Sequence, residues 1–405
     1  MTNSKHVPKR RFKEFESDGE WEFSRFGEVV VRVSESMMNS SFPNVEYEDV
    51  IPGKGQLNKN IHGKTNNKKG IRFLEGDVLY GKLRPYLKNW LLSDFKGIAV
   101  GDWWVLRSSE LDSKFLYNFI QTEKYQVVAN RSTGTKMPRS DWETVKDSDI
   151  LFPSNFEQKK LGDFFQTIDS LISNHQHKLD KLKDLKKAYL TEMFPAEGEC
   201  VPKRRFPGFE GEWEHKKLGQ LMDVGSVKRV HQSDWRDRGV RFLRARDIVS
   251  ESKNKKPDDF LYIDEELYKK YSAISGMVEK GDLLVTGVGT IGVPMLVESS
   301  EPLYFKDGNI IWFKNKNLLD GHFFYYSFTA RAIQKFIGDV AGVGTVGTYT
   351  IDSGKNTPIL LPVTKEEQVV IGDFFKKLDQ SISLQQQKLD KLNDLKKAYL
   401  NELFV

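Results

Sequence analysis

The sequence predicts a mixed α/β protein with an internal two-fold repeat: two globular domains, each followed by a long helix, the helices packed on each other as a coiled coil. Three observations predict it. The run Lys178 to Leu190 returns at Lys388 to Leu400 with Asn393 in place of Lys183 as the only difference. Val7-Pro8-Lys9-Arg10-Arg11-Phe12 returns as Val201-Pro202-Lys203-Arg204-Arg205-Phe206, and Glu20-Trp21-Glu22 as Glu212-Trp213-Glu214. Between arm and helix, both halves keep one order of turns, strands and helices. The period is roughly 200 residues, far beyond the ~20 to 50 of solenoid units.

The helices carry a seam. Ile168, Ile172, His175, Leu179, Leu182, Tyr189 and Met193 fall on alternating steps of four and three, with Leu185 beside the seam where Lys186 would sit. Leu378, Ile382, Gln385, Leu389, Leu392, Tyr399 and Leu403 fit the same template. Such spacing keeps one face apolar along a helix. His175 reads as a polar seam residue that fixes register, like Gln385; its other reading is a switch or proton carrier. The first helix is expected from about Glu157 to Met193, where Phe194-Pro195-Ala196-Glu197-Gly198 stops it.

The expected divisions are an arm at 1–20, a globular domain at 21–153, a helical spacer at 154–198, a link at 199–212, a second globular domain at 213–362 and a second spacer at 363–405. In the first domain, Val29 to Val33, Ile98 to Val100, Trp104 to Leu106 and Ile150 to Phe152 read as strands. Gly76-Asp77 is a turn feeding the strand from Val78, and Leu111 to Val128 has helical spacing. Lys280-Gly281-Asp282-Leu283-Leu284 and Phe323-Phe324-Tyr325 repeat those features in the second domain.

With 39% apolar residues the chain can bury more than one core. No apolar run reaches the ~18 residues of a membrane span, and Met1 to Phe15 lacks a signal-peptide core, so a cytoplasmic location is expected. The single cysteine, Cys200, excludes an intramolecular disulfide. No metal is expected, since the histidines form no ligand-spaced set. Gly287-Val288-Gly289-Thr290-Ile291-Gly292 matches G-x-G-x-x-G, but a proline in a strand-like run follows where a dinucleotide site needs a helix. Gly342, Gly344 and Gly347 match it too, followed by Thr348-Tyr349-Thr350-Ile351 and no expected helix. Walker, adenine-methyltransferase and His-Glu-x-x-His motifs are absent, and no Asp/Glu-x-Lys follows Pro257-Asp258 in the second domain. No catalytic residue is therefore nominated.

The net charge of +5 is small for this length, so local density matters more. Lys54, Lys59, His62, Lys64, Lys68, Lys69 and Arg72 crowd a Gly/Asn-rich stretch that reads either as a loop offered to phosphates or as a solvated surface. Lys82, Arg84, Tyr86 and Lys88 follow the first Gly-Asp turn. Arg131, Thr133, Thr135, Lys136 and Arg139 share a flexible stretch of small residues. In the second domain the candidates are Arg229, Arg241, Arg244, Arg246, Thr290, Thr345, Thr348 and Tyr349. Such side chains contact phosphates and base edges, although each cation could equally serve a structural ion pair.

The order Gly239-Val240-Arg241-Phe242-Leu243-Arg244-Ala245-Arg246-Asp247-Ile248, Gly281-Asp282-Leu283-Leu284, Gly289-Thr290-Ile291-Gly292, Pro362, Glu367-Gln368 and Leu389 to Phe404 resembles a target-recognition domain and helix of a type I restriction-modification specificity subunit. The first half resembles it through Gly76 to Leu79, Arg84-Pro85-Tyr86-Leu87, Glu157-Gln158 and the helix to Phe194. The resemblance implies two target-recognition domains held apart by two long antiparallel helices. Each domain would read one half of a bipartite double-stranded DNA site, and the helices would set the gap and dock two methyltransferase subunits, with restriction subunits added. It also implies no catalysis and no cofactor on this chain; S-adenosylmethionine, ATP and Mg²⁺ would belong to the partners. A self-sufficient DNA enzyme and a protein-binding coiled-coil adaptor are the rival readings.

Overall fold

The computed structural model describes residues 6–39, 41–61, 63–64, 68–131, 137–253, 255–257, 259–342 and 347–405. The chain divides into two compact units: Met1–His177 with Gln387–Val405, and Lys178–Gln386. Both boundaries fall inside the long helices, Asn155–Glu192 and Lys365–Glu402, each of 38 residues.

In the first unit, strand Glu22–Arg25 pairs antiparallel with Asp149–Phe152, so the domain's entry and exit lie side by side. An antiparallel sheet runs in the order Val31–Val33, Trp103–Arg107, Val78–Gly81, Trp90–Leu92. A second sheet joins Ser36–Met37, Gly70–Phe73, Gly97–Ala99 and Asn44–Val45, the last pair parallel. The second unit repeats the plan. Glu214–Lys217 pairs with Pro358–Leu361, and Asp223–Gly225, Ile310–Lys314, Leu283–Thr286 and Pro294–Leu296 form its antiparallel sheet. Its other sheet again contains one parallel pair, Val240–Leu243 with Leu303–Phe305.

The repeated motifs prove to be joints. Gly76 and Gly281 take positive φ, 87° and 96°, which glycine adopts at little cost. The aspartates behind them are buried: Asp77 binds Arg107 through two bonds of 2.7 Å, and Asp282 accepts the indole N–H of Trp312 at 2.8 Å. In the Glu-Gln pair at each helix start, Glu157 binds Arg11 and Glu367 binds Arg205, both as bidentate pairs. Gln158 and Gln368 each accept the backbone N–H of a helix-capping aspartate, Asp112 at 2.8 Å and Asp320 at 3.1 Å. At Gly162 a Cβ would stand 2.6 Å from the Lys114 side chain, so only glycine lets the domain lie that close to the helix.

Within each unit a segment of one long helix packs on a segment of the other. In the first unit Phe164 meets Tyr399 edge-on at 5.1 Å and Asp169 binds Lys396; in the second, Phe374 meets Tyr189 at 5.1 Å and Asp379 binds Lys186. Within each unit the two helical segments therefore run antiparallel. Leu179, Leu378, Gln385 and Leu389 are buried, while Ile172, His175, Leu182, Tyr189, Ile382, Leu392 and Tyr399 are half-buried. Ile168 joins the first unit's core, which holds Trp21, Phe115, Phe165, Leu403 and Phe404; Phe194, Trp213, Phe323 and Phe375 build the equivalent core of the second.

Three local expectations need correction. Val29 closes a helical turn, Phe26–Val29, and only Val31–Val33 is strand, because Phe26 and Val29 turn into the core together. The helical stretch from Leu111 is two helices, Ser113–Phe119 and Glu123–Ala129, separated where the Thr122 side chain caps the second. A helix does follow the second glycine loop: Ile351–Asn356, capped by Thr350.

Candidate nucleic-acid interface

In the first domain two of the candidate stretches meet. The loop leaving strand Val78–Gly81 carries Lys82, Arg84, Tyr86 and Lys88; its Arg84 N–H donates to the Pro138 carbonyl at 2.7 Å, and Leu83 bridges Arg139. Gly53 N–H donates to the Lys88 carbonyl at 2.8 Å, which adds the hairpin bearing Lys54. Arg84 and Lys88 both sit at positive φ, 51° and 58°, a costly conformation for non-glycine residues that persists where surroundings impose it. Around them, Leu83 N–H reaches the Tyr47 hydroxyl, and Ser140 N–H the Lys82 carbonyl. Arg84, Lys88 and Arg131 are exposed and have no acid partner among the described residues, whereas Lys82 and Arg139 share Asp102. Lys54 reaches Gln176. Thr133, Thr135, Lys136 and His62 lie outside the described residues.

The same junction recurs in the second domain. Tyr349 N–H donates to the Gly287 carbonyl at 2.8 Å, joining the loop after strand Leu283–Thr286 to the segment before helix Ile351–Asn356. Gly289 and Gly292 take positive φ, so these glycines serve the turn. Thr290 and Thr348 are exposed there. Tyr349 is not available to a ligand: it is 1% exposed, its hydroxyl bonds Thr357, and burial holds its pKa above the usual range. Thr345 lies outside the described residues.

Most other candidate cations are occupied. Burial opposes the charge of Lys64, but Asp49 and Glu46 outweigh it and raise its pKa; Lys59 and Lys68 bind the same two acids. This basic run is largely an ion-paired frame. Arg244 is 13% exposed and binds both Asp247 and Asp259, and Arg246 shares Asp259. Arg241 lies against Phe260 and donates to the Leu261 carbonyl, burial lowering its pKa. Arg244 and Arg241 are therefore structural; Arg229 pairs with Asp307 but stays open to solvent. Sequence reasoning missed Leu87 and Met137, exposed beside Tyr86 and Arg139, and also Arg238, Lys255 and Lys256, exposed without an acid partner among the described residues. Exposure finds the two apolar residues, and exposure without an opposing acid finds the three cations; both signals require tertiary structure.

Among the described residues, no group of three or more His, Cys, Asp or Glu side chains could hold a metal, and no helix is long and apolar enough to cross a membrane. Two copies of one scaffold, each presenting a differently furnished loop junction beside a shared type of helical frame, define a two-headed recognition protein. The chain belongs to the type I restriction modification DNA specificity domain family, whose model matches residues 18–184 and 210–394. It is a type I restriction-modification specificity subunit, the non-catalytic, DNA-recognising member of such a complex.

The type I restriction enzyme MjaVIII specificity subunit of Methanocaldococcus jannaschii is 23% identical over 349 residues, covering 81% of this chain and 75% of that protein. The EcoDI specificity subunit of Escherichia coli is 23% identical over 189 residues, 44% of this chain and 42% of its own. The crystal structure of the type I restriction-modification S subunit from M. genitalium has the same fold, with a TM-score of 0.64 at 15% identity over 98% of this chain and 99% of that one.

Proposed function

We propose that each recognition domain reads one half of a split, asymmetric duplex site through its loop junction, and that the paired helices fix the gap and dock two methyltransferase subunits. The observation that carries this reading is the pairing of a repeated frame with unlike tips. Arg84 and Lys88 offer charge where Gly289 and Thr290 offer a small, neutral surface. Unlike tips on a repeated frame suit unlike half-sites. Phosphate contacts supply affinity and base-edge contacts supply sequence. Restriction subunits complete the assembly. S-adenosylmethionine, ATP and Mg²⁺ are assigned to the partners, where methylation of adenine and cleavage of DNA take place.

The test is co-expression with the cognate methyltransferase subunit and genome-wide mapping of methylated adenines. One split motif with two unlike halves and a fixed gap is the expected result. A folded complex that methylates a single continuous motif would overturn the two-reader reading.

A further inference from the structure

The tip at residues 84–88 carries more than charge. Tyr86 is 56% exposed and Leu87 40%, adjacent at the apex of the 3-10 turn Pro85–Leu87, while Pro85 is buried beneath them. The Tyr86 side chain makes no hydrogen bond or ring contact among the described residues, and both apex side chains are open to solvent. Exposed Met137 flanks them across the Arg84–Pro138 hydrogen bond. Cations with no acid partner among the described residues, Arg84 and Lys88, stand on either side.

The backbone is also held. Leu87 N–H donates to the Arg84 carbonyl at 2.8 Å and Lys88 N–H to the Pro85 carbonyl at 2.9 Å, with the Gly53 and Pro138 bonds fixing both ends. Ordering two apolar side chains at an apex in water has no folding reward. A pre-ordered loop instead lowers the entropy cost of binding. Apolar side chains flanked by Lys or Arg are the means by which proteins unstack a base step and kink a duplex. The equivalent turn of the second domain, Gly287 to Gly292, has neither an aromatic residue nor a cation.

We propose that residues 84–88 form a wedge that enters the base stack at the first domain's half-site: Tyr86 and Leu87 unstack a single base step while Arg84 and Lys88 hold the flanking phosphates. The duplex then bends at one half-site only. Pyrimidine–purine steps, the easiest to unstack, are the preferred target. This inference rests on the reading that the domain binds DNA.

The experiment uses the full chain assembled with its methyltransferase subunits, on a duplex carrying the mapped motif. 2-Aminopurine replaces single bases through the first half-site, away from the methylated adenine, because methyltransferases extrude their target base themselves. Binding by the unaltered complex is expected to raise the fluorescence several-fold at one step. Tyr86→Ala with Leu87→Ala abolishes most of that rise and weakens binding roughly tenfold, in line with the worth of one base–aromatic stack. Tyr86→Phe keeps the signal.

A signal that persists in the double variant, or a flat signal despite specific binding by the unaltered complex, overturns the wedge and leaves the DNA reading standing. Weaker assembly with the methyltransferase at unchanged DNA affinity would place the tip against protein and also overturn it. An unaltered complex that binds no specific duplex would sink the proposed function itself, and the wedge with it.

Discussion

Arg11→Ala is expected to unseat the N-terminal arm from the first long helix and so to destabilise the first unit. The guanidinium binds both oxygens of Glu157 at 2.8 and 2.7 Å and the carbonyls of Asp18 and Gly19. The two side chains are 7% and 1% exposed. Alanine leaves a buried carboxylate unpaired, which costs about 3–5 kcal/mol. For a cooperative unit of this size each kcal/mol shifts the midpoint by about 2–4 °C, so a fall of roughly 6–20 °C is expected. The assay is calorimetric unfolding of the full chain, with Arg11→Met plus Glu157→Leu as control. Replacing both members by apolar groups removes the orphaned charge and is expected to restore most of the loss. A single-variant loss below about 1 kcal/mol, the range of a surface ion pair, would refute the reasoning.

Two further outcomes follow from the electrostatics. Arg84→Ala and Lys88→Ala should each reduce the slope of log affinity against log salt by about 1, while Arg244→Ala lowers stability and leaves the slope unchanged; equal effects on the slope would contradict the division between open and occupied cations. Hydrogen bonds from Lys64 and Lys68 depress the Glu46 pKa in the folded chain. Its contribution is therefore present above the ordinary carboxylate range and lost as pH falls through the lowered value. Glu46→Gln should flatten the fall in stability as pH drops below the ordinary glutamate range, and an unchanged acid slope would show that the cluster does not hold the loop.

The frame was legible because its information is local and repeated. Leu185 is 41% exposed, off the seam, and Lys186 takes the seam place that the spacing assigned it, its charge met by Asp379. The arms, the Gly-Asp turns and the Glu-Gln helix starts were recognisable as pairs, although their contacts were not. The candidate interface was legible only as chemistry. Arg229 and its Asp307 stand 78 positions apart, and Lys59 and Lys64 are held by an Asp49 that no spacing rule selects. Tyr349 looked like a loop aromatic because burial of a single side chain in a glycine-rich stretch leaves no periodic trace.

The first unit contains residues from both ends of the chain, whereas the second is one continuous stretch. During synthesis the core around Trp21, Phe115 and Phe165 is made before the second unit, yet Leu400, Leu403 and Phe404, which join it, are made after that unit. At ~5–20 residues per second the interval between Phe165 and Phe404 is about 10–50 s. For that time an unfinished apolar surface stays open to water and to chaperones, while the second unit can close. The unit begun earlier is thus completed after the one begun later.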